Sequence, residues 1–96
     1  MIEVRRTEEF SRWVRGLRDA NVVARIIARI RRVELGNLGD SKSLRGGLME
    51  MRIDYGPGYR VYYVRRGAEI VILLCAGEKR TQQRDIKRAR ELAERL

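Results

Sequence analysis

The tripeptide Gly56-Pro57-Gly58 constrains this chain more than any other feature. Proline presets the backbone for a turn, and glycine tolerates the positive φ that tight turns demand. Leu48 to Tyr55 precedes the turn and Tyr59 to Arg66 follows it, and both read as strands. Two such runs joined by a short glycine-containing turn form a β-hairpin. Pairing Tyr55 with Tyr59 sets Ile53 opposite Val61 and Met51 opposite Tyr63, which makes one apolar face. The other face then carries Asp54 against Arg60, Arg52 against Tyr62 and Glu50 against Val64. The hairpin thus separates a core face from a charged, aromatic face that is the candidate working surface. A slip of one residue would exchange the two.

The flanking segments supply cover for the apolar face. Ile2 to Arg6 alternates as a short strand. Thr7, followed by Glu8 and Glu9, is an N-cap with acids in the first turn, which suits the positive end of a helix dipole. Phe10, Trp13, Val14 and Leu17 then mark one helical face. After a break at Gly16 to Asp19, either Asp19 or Asn21 caps a second helix. Its stripe is Val22, Val23, Ile26, Ile27, Ile30 and Val33, and Gly36 ends it. The short connection implies an antiparallel helical pair. Asn37 to Gly47 reads as a polar loop carrying Lys42 and Arg45, either functional or a plain crossover. Glu69 to Ala76 is nearly continuous apolar sequence, as expected of a central strand buried on both faces, and Gly77 ends it. Thr81 can cap a last helix whose apolar side is Ile86, Ala89, Leu92, Ala93 and Leu96. The expected order is β-α-α-β-β-β-α. This is a single α+β domain over residues 1–96, with an antiparallel sheet core and helices packed on one face.

Charge and missing residue types narrow the chemistry. Lys and Arg number 22 and Asp and Glu 13, a net charge of +9. Such a surface suits an anionic partner, nucleic acid first and an acidic membrane surface second. No apolar run is long enough to span a bilayer, and the first residues lack the apolar core of a signal peptide, so a cytoplasmic protein is expected. With one cysteine, no internal disulfide or multi-cysteine zinc site forms. With no histidine, Ser-His-Asp and Cys-His chemistry, His-ligated metals and an imidazole base all drop out. Neither metal nor cofactor is expected.

On the working face gather Arg52, Arg60, Lys79 and Arg80, with Lys42 and Arg45 arriving on the loop and Tyr55, Tyr59 and Tyr62 among or beside them. Arginine forks grip phosphate and aromatic rings stack on bases, so this mixture is suited to single-stranded RNA. The plain alternative for each residue is a solvated charge or a packing tyrosine. Asp54 facing Arg60 is an exposed ion pair worth at most about 1 kcal/mol, or else it orients the guanidinium toward phosphate. Cys75 and Trp13 read as core residues. The arginine-rich last helix is a solvated face, a nucleic-acid contact or a partner site. Residue patterns alone end at a small, basic, RNA-binding α+β domain.

Two segments carry a resemblance. Leu44 to Tyr63, containing L-R-G-G-L-M-E-M-R-I-D-Y-G-P-G-Y-R-V-Y-Y, and Leu74 to Ala89 together resemble the RelE/HigB toxin superfamily, in its phage-derived addiction module killer protein branch. The resemblance implies a RelE-like microbial-ribonuclease-type fold and a toxin of a type II toxin–antitoxin system. The implied activity is that of an mRNA interferase, a metal-independent endoribonuclease that cuts mRNA on the ribosome and inhibits translation. The implied partners are mRNA, the ribosome and a cognate antitoxin of helix-turn-helix type, with operator DNA reached through the antitoxin. Arg60 matches the family arginine on the scissile phosphate. Arg52 and Lys79 match assisting basic positions, with Arg80 as the alternative to Lys79, and Lys42 and Arg45 match the basic loop. Asp54 stands where some relatives carry lysine. Gln82, Gln83 and Asp85 stand where some carry a histidine or tyrosine. Glu78, Asp54, Tyr62 and Lys79 are the unranked candidates for proton transfer. Two other readings use the same scaffold: a non-catalytic RNA-binding module, and a domain that binds its antitoxin or operator.

Overall fold

The computed structural model describes residues 1–96. Five strands and three helices follow in the order β1 (Glu3–Arg6), α1 (Glu8–Arg15), α2 (Ala20–Glu34), β2 (Ser41–Ser43), β3 (Leu48–Ile53), β4 (Tyr59–Arg66), β5 (Ile70–Glu78) and α3 (Gln82–Glu94). Single 3-10 turns lie at Arg45–Gly47 and Lys79–Thr81. The sheet order is β1-β5-β4-β3-β2. β1 runs parallel to β5 and the other pairs are antiparallel.

The helix starts follow from their caps. Thr7 Oγ1 accepts the Phe10 N–H at 3.1 Å and donates to the Leu74 carbonyl at 2.5 Å, so one hydroxyl both starts α1 and pins it to the sheet. Asp19 caps α2 by accepting the Asn21 N–H at 2.8 Å, which resolves the choice between Asp19 and Asn21. Gly36 takes φ 95 just beyond α2, as a helix-ending glycine does.

Several expectations are corrected. The stretch from Asn37 to Gly47 is not all loop, because Ser41–Ser43 adds an edge strand to β3. Gly77 does not end the central strand, which runs on to Glu78. Thr81 precedes α3 but makes no cap; its hydroxyl goes to the Glu78 carbonyl and the Asp85 carboxylate instead. The α+β class stands, but the helices do not share one face. Phe10 of α1 and Val22, Ile26, Ile30 and Val33 of α2 pack with Met51, Ile53, Tyr59, Val61, Tyr63, Val71 and Leu73. Ala89 and Leu92 of α3 pack on the opposite side with Leu48, Tyr62, Leu74 and Cys75. A β-bulge adds one residue to the α3 side. Tyr62 pairs with Cys75 and Tyr63 with Leu73, so Leu74 has no partner and joins Cys75 on the α3 side.

The hairpin register also differs. Ile53 pairs with Tyr59, Arg52 with Arg60, Met51 with Val61 and Glu50 with Tyr62. That is two residues away from the Tyr55–Tyr59 pairing, because the connection is five residues, Asp54 to Gly58, rather than three. Tyr55 leaves the ladder: its carbonyl accepts the Gly58 N–H at 3.0 Å, and Arg25 of α2 lies 4.1 Å from its ring centroid. Gly56 and Gly58 carry the positive φ values, 57 and 82. An even shift leaves each side chain on its expected face. The Asp54–Arg60 pair, however, does not form.

Candidate functional site

One row across the sheet builds the site. The Arg52 N–H donates to the Asp40 carbonyl at 2.8 Å, Arg52 pairs with Arg60, and Arg60 pairs with Gly77. The two arginines lie directly opposite on the α3 side of the sheet. Like charges so placed repel unless something compensates them. Asp40 compensates Arg52, accepting from its Nη2 at 2.9 Å and its Nε at 3.2 Å. Arg60 has no carboxylate within ion-pair distance. Its Nη1 reaches only the Tyr59 carbonyl, at 3.1 Å, and its Nε is buried with no acceptor. A buried donor left unpaired is costly, and an arriving anion would relieve that cost.

Lys79 stands beside Arg60. Its N–H donates to the Gly58 carbonyl at 2.9 Å. A Cβ on Gly58 would lie 3.4 Å from Lys79 Cβ and 3.7 Å from Arg60 Nη1, so that glycine sits between the two cations. Lys79 is exposed, as are Lys42, Arg45 and Arg80. Arg80 is paired with Glu78 at 3.0 Å. Lys42 stands across from Glu50 in the β2–β3 register. The Arg45 carbonyl accepts from Arg90 Nη1 at 2.6 Å, which ties its turn to α3. Arg88 of α3 pairs with Glu9 and Glu91. Arg88 and Arg90 therefore hold the structure together, which decides in part what the arginines of the last helix do.

The phage-derived Gp49-like family model matches residues 12–96. This chain belongs to the Gp49-like family. An uncharacterized protein of Haemophilus influenzae is 46% identical over 95 residues, covering 99% of this chain and 96% of that one. In fold the Gp49-like chain resembles a chain in the crystal structure of the intact E. coli RelBE toxin–antitoxin complex. The TM-score is 0.65 at 17% identity, over 81% of this chain and 96% of that one. The resemblance read from the two segments thus stands for family and fold. No helix is long and apolar enough to cross a membrane.

The three tyrosines expected to stack on bases are not placed to do so in this Gp49-like chain. Tyr59 is 8% exposed and turns to the α1 side, edge-on to Trp13 with centroids 6.2 Å apart. Tyr62 is fully buried beneath α3. Tyr55 has its ring under Arg25 on the far side of the sheet. The site is therefore cationic rather than aromatic. Burial, then the Glu50 and Asp85 carboxylates, hold the Tyr62 phenol far above its ordinary pKa. It stays protonated and uncharged near neutral pH, and its hydroxyl has no hydrogen-bond partner.

Sequence reasoning named Glu50 and Asp85 but missed that both are buried. Glu50 is 1% exposed and accepts from Gln82 Nε2 at 2.5 Å. Asp85 is 8% exposed, accepts the Thr81 hydroxyl at 2.6 Å and lies against Gly77. The sequence held a signal for each: Glu50 shares the arginine face of its strand, and Gly77 interrupts an apolar strand where a neighbour approaches closely. No three His, Cys, Asp or Glu side chains gather to hold a metal ion.

Proposed function

We propose that this protein is the toxin of a type II toxin–antitoxin pair and cuts mRNA on the ribosome, without a metal, in the cytoplasm. The observation that carries the reading is Arg60. It is a cation without a counter-ion, with a buried donor awaiting an acceptor, flanked by Arg52 and the exposed amine of Lys79. A scissile phosphate is the anion that such an arrangement fits. The 2′-hydroxyl attacks phosphorus and loses its proton to solvent. The P–O5′ bond breaks, leaving a 2′,3′-cyclic phosphate. Negative charge grows on the non-bridging oxygens, where Arg60 and Arg52 stabilise it. The Lys79 ammonium gives a proton to the departing 5′-oxygen. Lys42, Arg45 and Arg80 hold the flanking phosphates. The sparse proton-transfer equipment accords with the ribosome supplying in-line geometry. The family and the RelE-like fold support an antitoxin as partner. We place a helix-turn-helix antitoxin in that role, with operator DNA bound through it.

Purified protein mixed with translating ribosomes and a defined mRNA tests this. The wild type cleaves at discrete positions, Arg60→Ala loses roughly 10²-fold or more, and circular dichroism shows both folded. Intact mRNA in the presence of tight RNA binding would replace the enzyme with a non-catalytic RNA-binding module.

A further inference from the structure

On the α2 side of the sheet, away from Arg60, lies a groove of about 650 Å³ between α2 and the hairpin turn. Its helix wall bears Arg25, Arg29 and Arg32, spaced i, i+4 and i+7 and so forming one stripe. Beside that stripe stand the small residues Ala24 and Ala28, and the opposite wall is apolar at Ile53 and Tyr55. Arg25 and Arg32 are exposed and neither has a carboxylate within ion-pair distance. Arg29 is half-buried. Its Nη1 donates to the Arg52 carbonyl at 2.5 Å, and its Nη2 to the Leu38 and Asp40 carbonyls at 3.5 and 3.3 Å. It therefore stiffens the groove floor and leaves Arg25 and Arg32 as the free charges. Asp54 is the one acid in the lining.

We propose that this groove docks an acidic, amphipathic helix of a partner protein. Carboxylates four to seven residues apart on that helix meet Arg25 and Arg32, and its apolar side lies on Ala24 and Ala28. The chemistry favours polypeptide over RNA. Aliphatic side chains fill an alanine-floored channel, whereas a base needs an open ring and the Tyr55 ring is already covered by Arg25. Guanidinium groups pair bidentately with carboxylates. The inference rests on the toxin reading only in that a protein partner exists, and it names the surface that partner uses. The groove and the Arg60 site lie on opposite faces of the sheet, so both can be occupied at once. Arg29 joins them, since it grips the carbonyls beneath the Arg52–Asp40 pair.

The probe is a fluorescein-labelled, alanine- and leucine-based helical peptide with glutamates at i, i+4 and i+7. Its partner is the full-length protein, and a scrambled-spacing peptide and a single-stranded oligoribonucleotide of equal charge serve as comparisons. Arg25→Glu/Arg32→Glu should weaken the spaced peptide at least about tenfold. Arg65→Glu/Arg66→Glu, with the same net charge, should leave most of the affinity. Thermal unfolding checks that both variants fold. Equal loss in the two variants, no preference over the scrambled peptide, or loss of oligoribonucleotide binding alone would overturn the proposal, the last in favour of an RNA surface. Cleavage of mRNA by the Arg25→Glu/Arg32→Glu variant is measured alongside. If wild type cuts no mRNA while spaced-peptide binding stays variant-sensitive, the toxin reading fails and the groove stands. The reverse result sinks the groove alone.

Discussion

Gly77→Ala should destabilise this protein sharply, although its backbone conformation would accept alanine. Gly77 is buried in β5 across from Arg60, and its φ is not positive. On backbone grounds alone, the substitution would stabilise by about 0.4–1 kcal/mol by restricting the unfolded chain. Space decides otherwise. A Cβ at Gly77 would lie 2.0 Å from Asp85 Oδ2, 2.9 Å from its Cγ and 3.0 Å from Thr81 Oγ1. Asp85 is 8% exposed and is held by the Thr81 hydroxyl at 2.6 Å, so it cannot yield without breaking that bond. Overpacking costs about 1–3 kcal/mol, and a lost hydrogen bond to a carboxylate about 1.5–3 kcal/mol. The net expectation is about 2–4 kcal/mol. For a chain of this size that lowers Tm by roughly 10–25 °C. Urea and thermal unfolding followed by circular dichroism would measure it. Asp85→Ala removes the obstructing oxygen, so Gly77→Ala in that background should cost at least about 1 kcal/mol less than in wild type. A Tm within about 2 °C of wild type, or an equal cost in both backgrounds, would refute the steric account.

Cys75 is 5% exposed, and burial first, then nearby carboxylates, push its thiol up to about 12. Alkylation needs the thiolate, so iodoacetamide at neutral pH should modify Cys75 no faster than the protein unfolds. Mass spectrometry reads this directly, and rapid labelling of the native protein would contradict it. The Glu9–Arg88 pair links α1 to α3 across 79 residues of sequence, and hydrogen bonding from Arg88 holds the Glu9 carboxyl below its ordinary value of 4.5. A depressed folded-state pKa contributes stability above the unfolded value and loses it as pH falls through the folded one. The stability gap between wild type and Arg88→Ala should therefore be full near neutrality and close once pH drops below the Glu9 folded-state pKa. Urea titrations along that range test it, and a gap independent of pH would show that Arg88 acts through packing alone.

What was legible in the sequence followed from local chemistry. Thr7 and Asp19 capped their helices because a hydroxyl or carboxylate before an apolar periodic run satisfies free N–H groups. The faces of the hairpin were legible because strand side chains alternate strictly. The register was not, because Gly56-Pro57-Gly58 does not count the residues in its own turn. Tyr55 continues the alternation, yet it leaves the ladder for a stacked guanidinium on a helix 30 residues earlier. The edge strand at Ser41–Ser43 was equally hidden. Three polar residues carry no alternating signal, and the strand exists because β3 offers it unpaired backbone.

The placement of α3 was implied by one reading and denied by another. A β5 buried on both faces needs cover on both, so the three helices could not all pack on one side. The hairpin's outer face, with Glu50, Arg52 and Arg60, argued that nothing apolar could lie there. Both were right for different ends of the same face. Leu48, Tyr62 and Val64 lie under α3 with Leu74 and Cys75, while Arg52 and Arg60 occupy the row beyond, across from Gly77. Polarity changes along the strands, not only across the sheet. That is why Arg60 is partly buried yet its Nε lacks an acceptor: its stem reaches the edge of a hydrophobic layer and its head lies where that layer stops. A cation so placed is less hydrated than one on an open face, and it would attract an incoming anion more strongly for that reason.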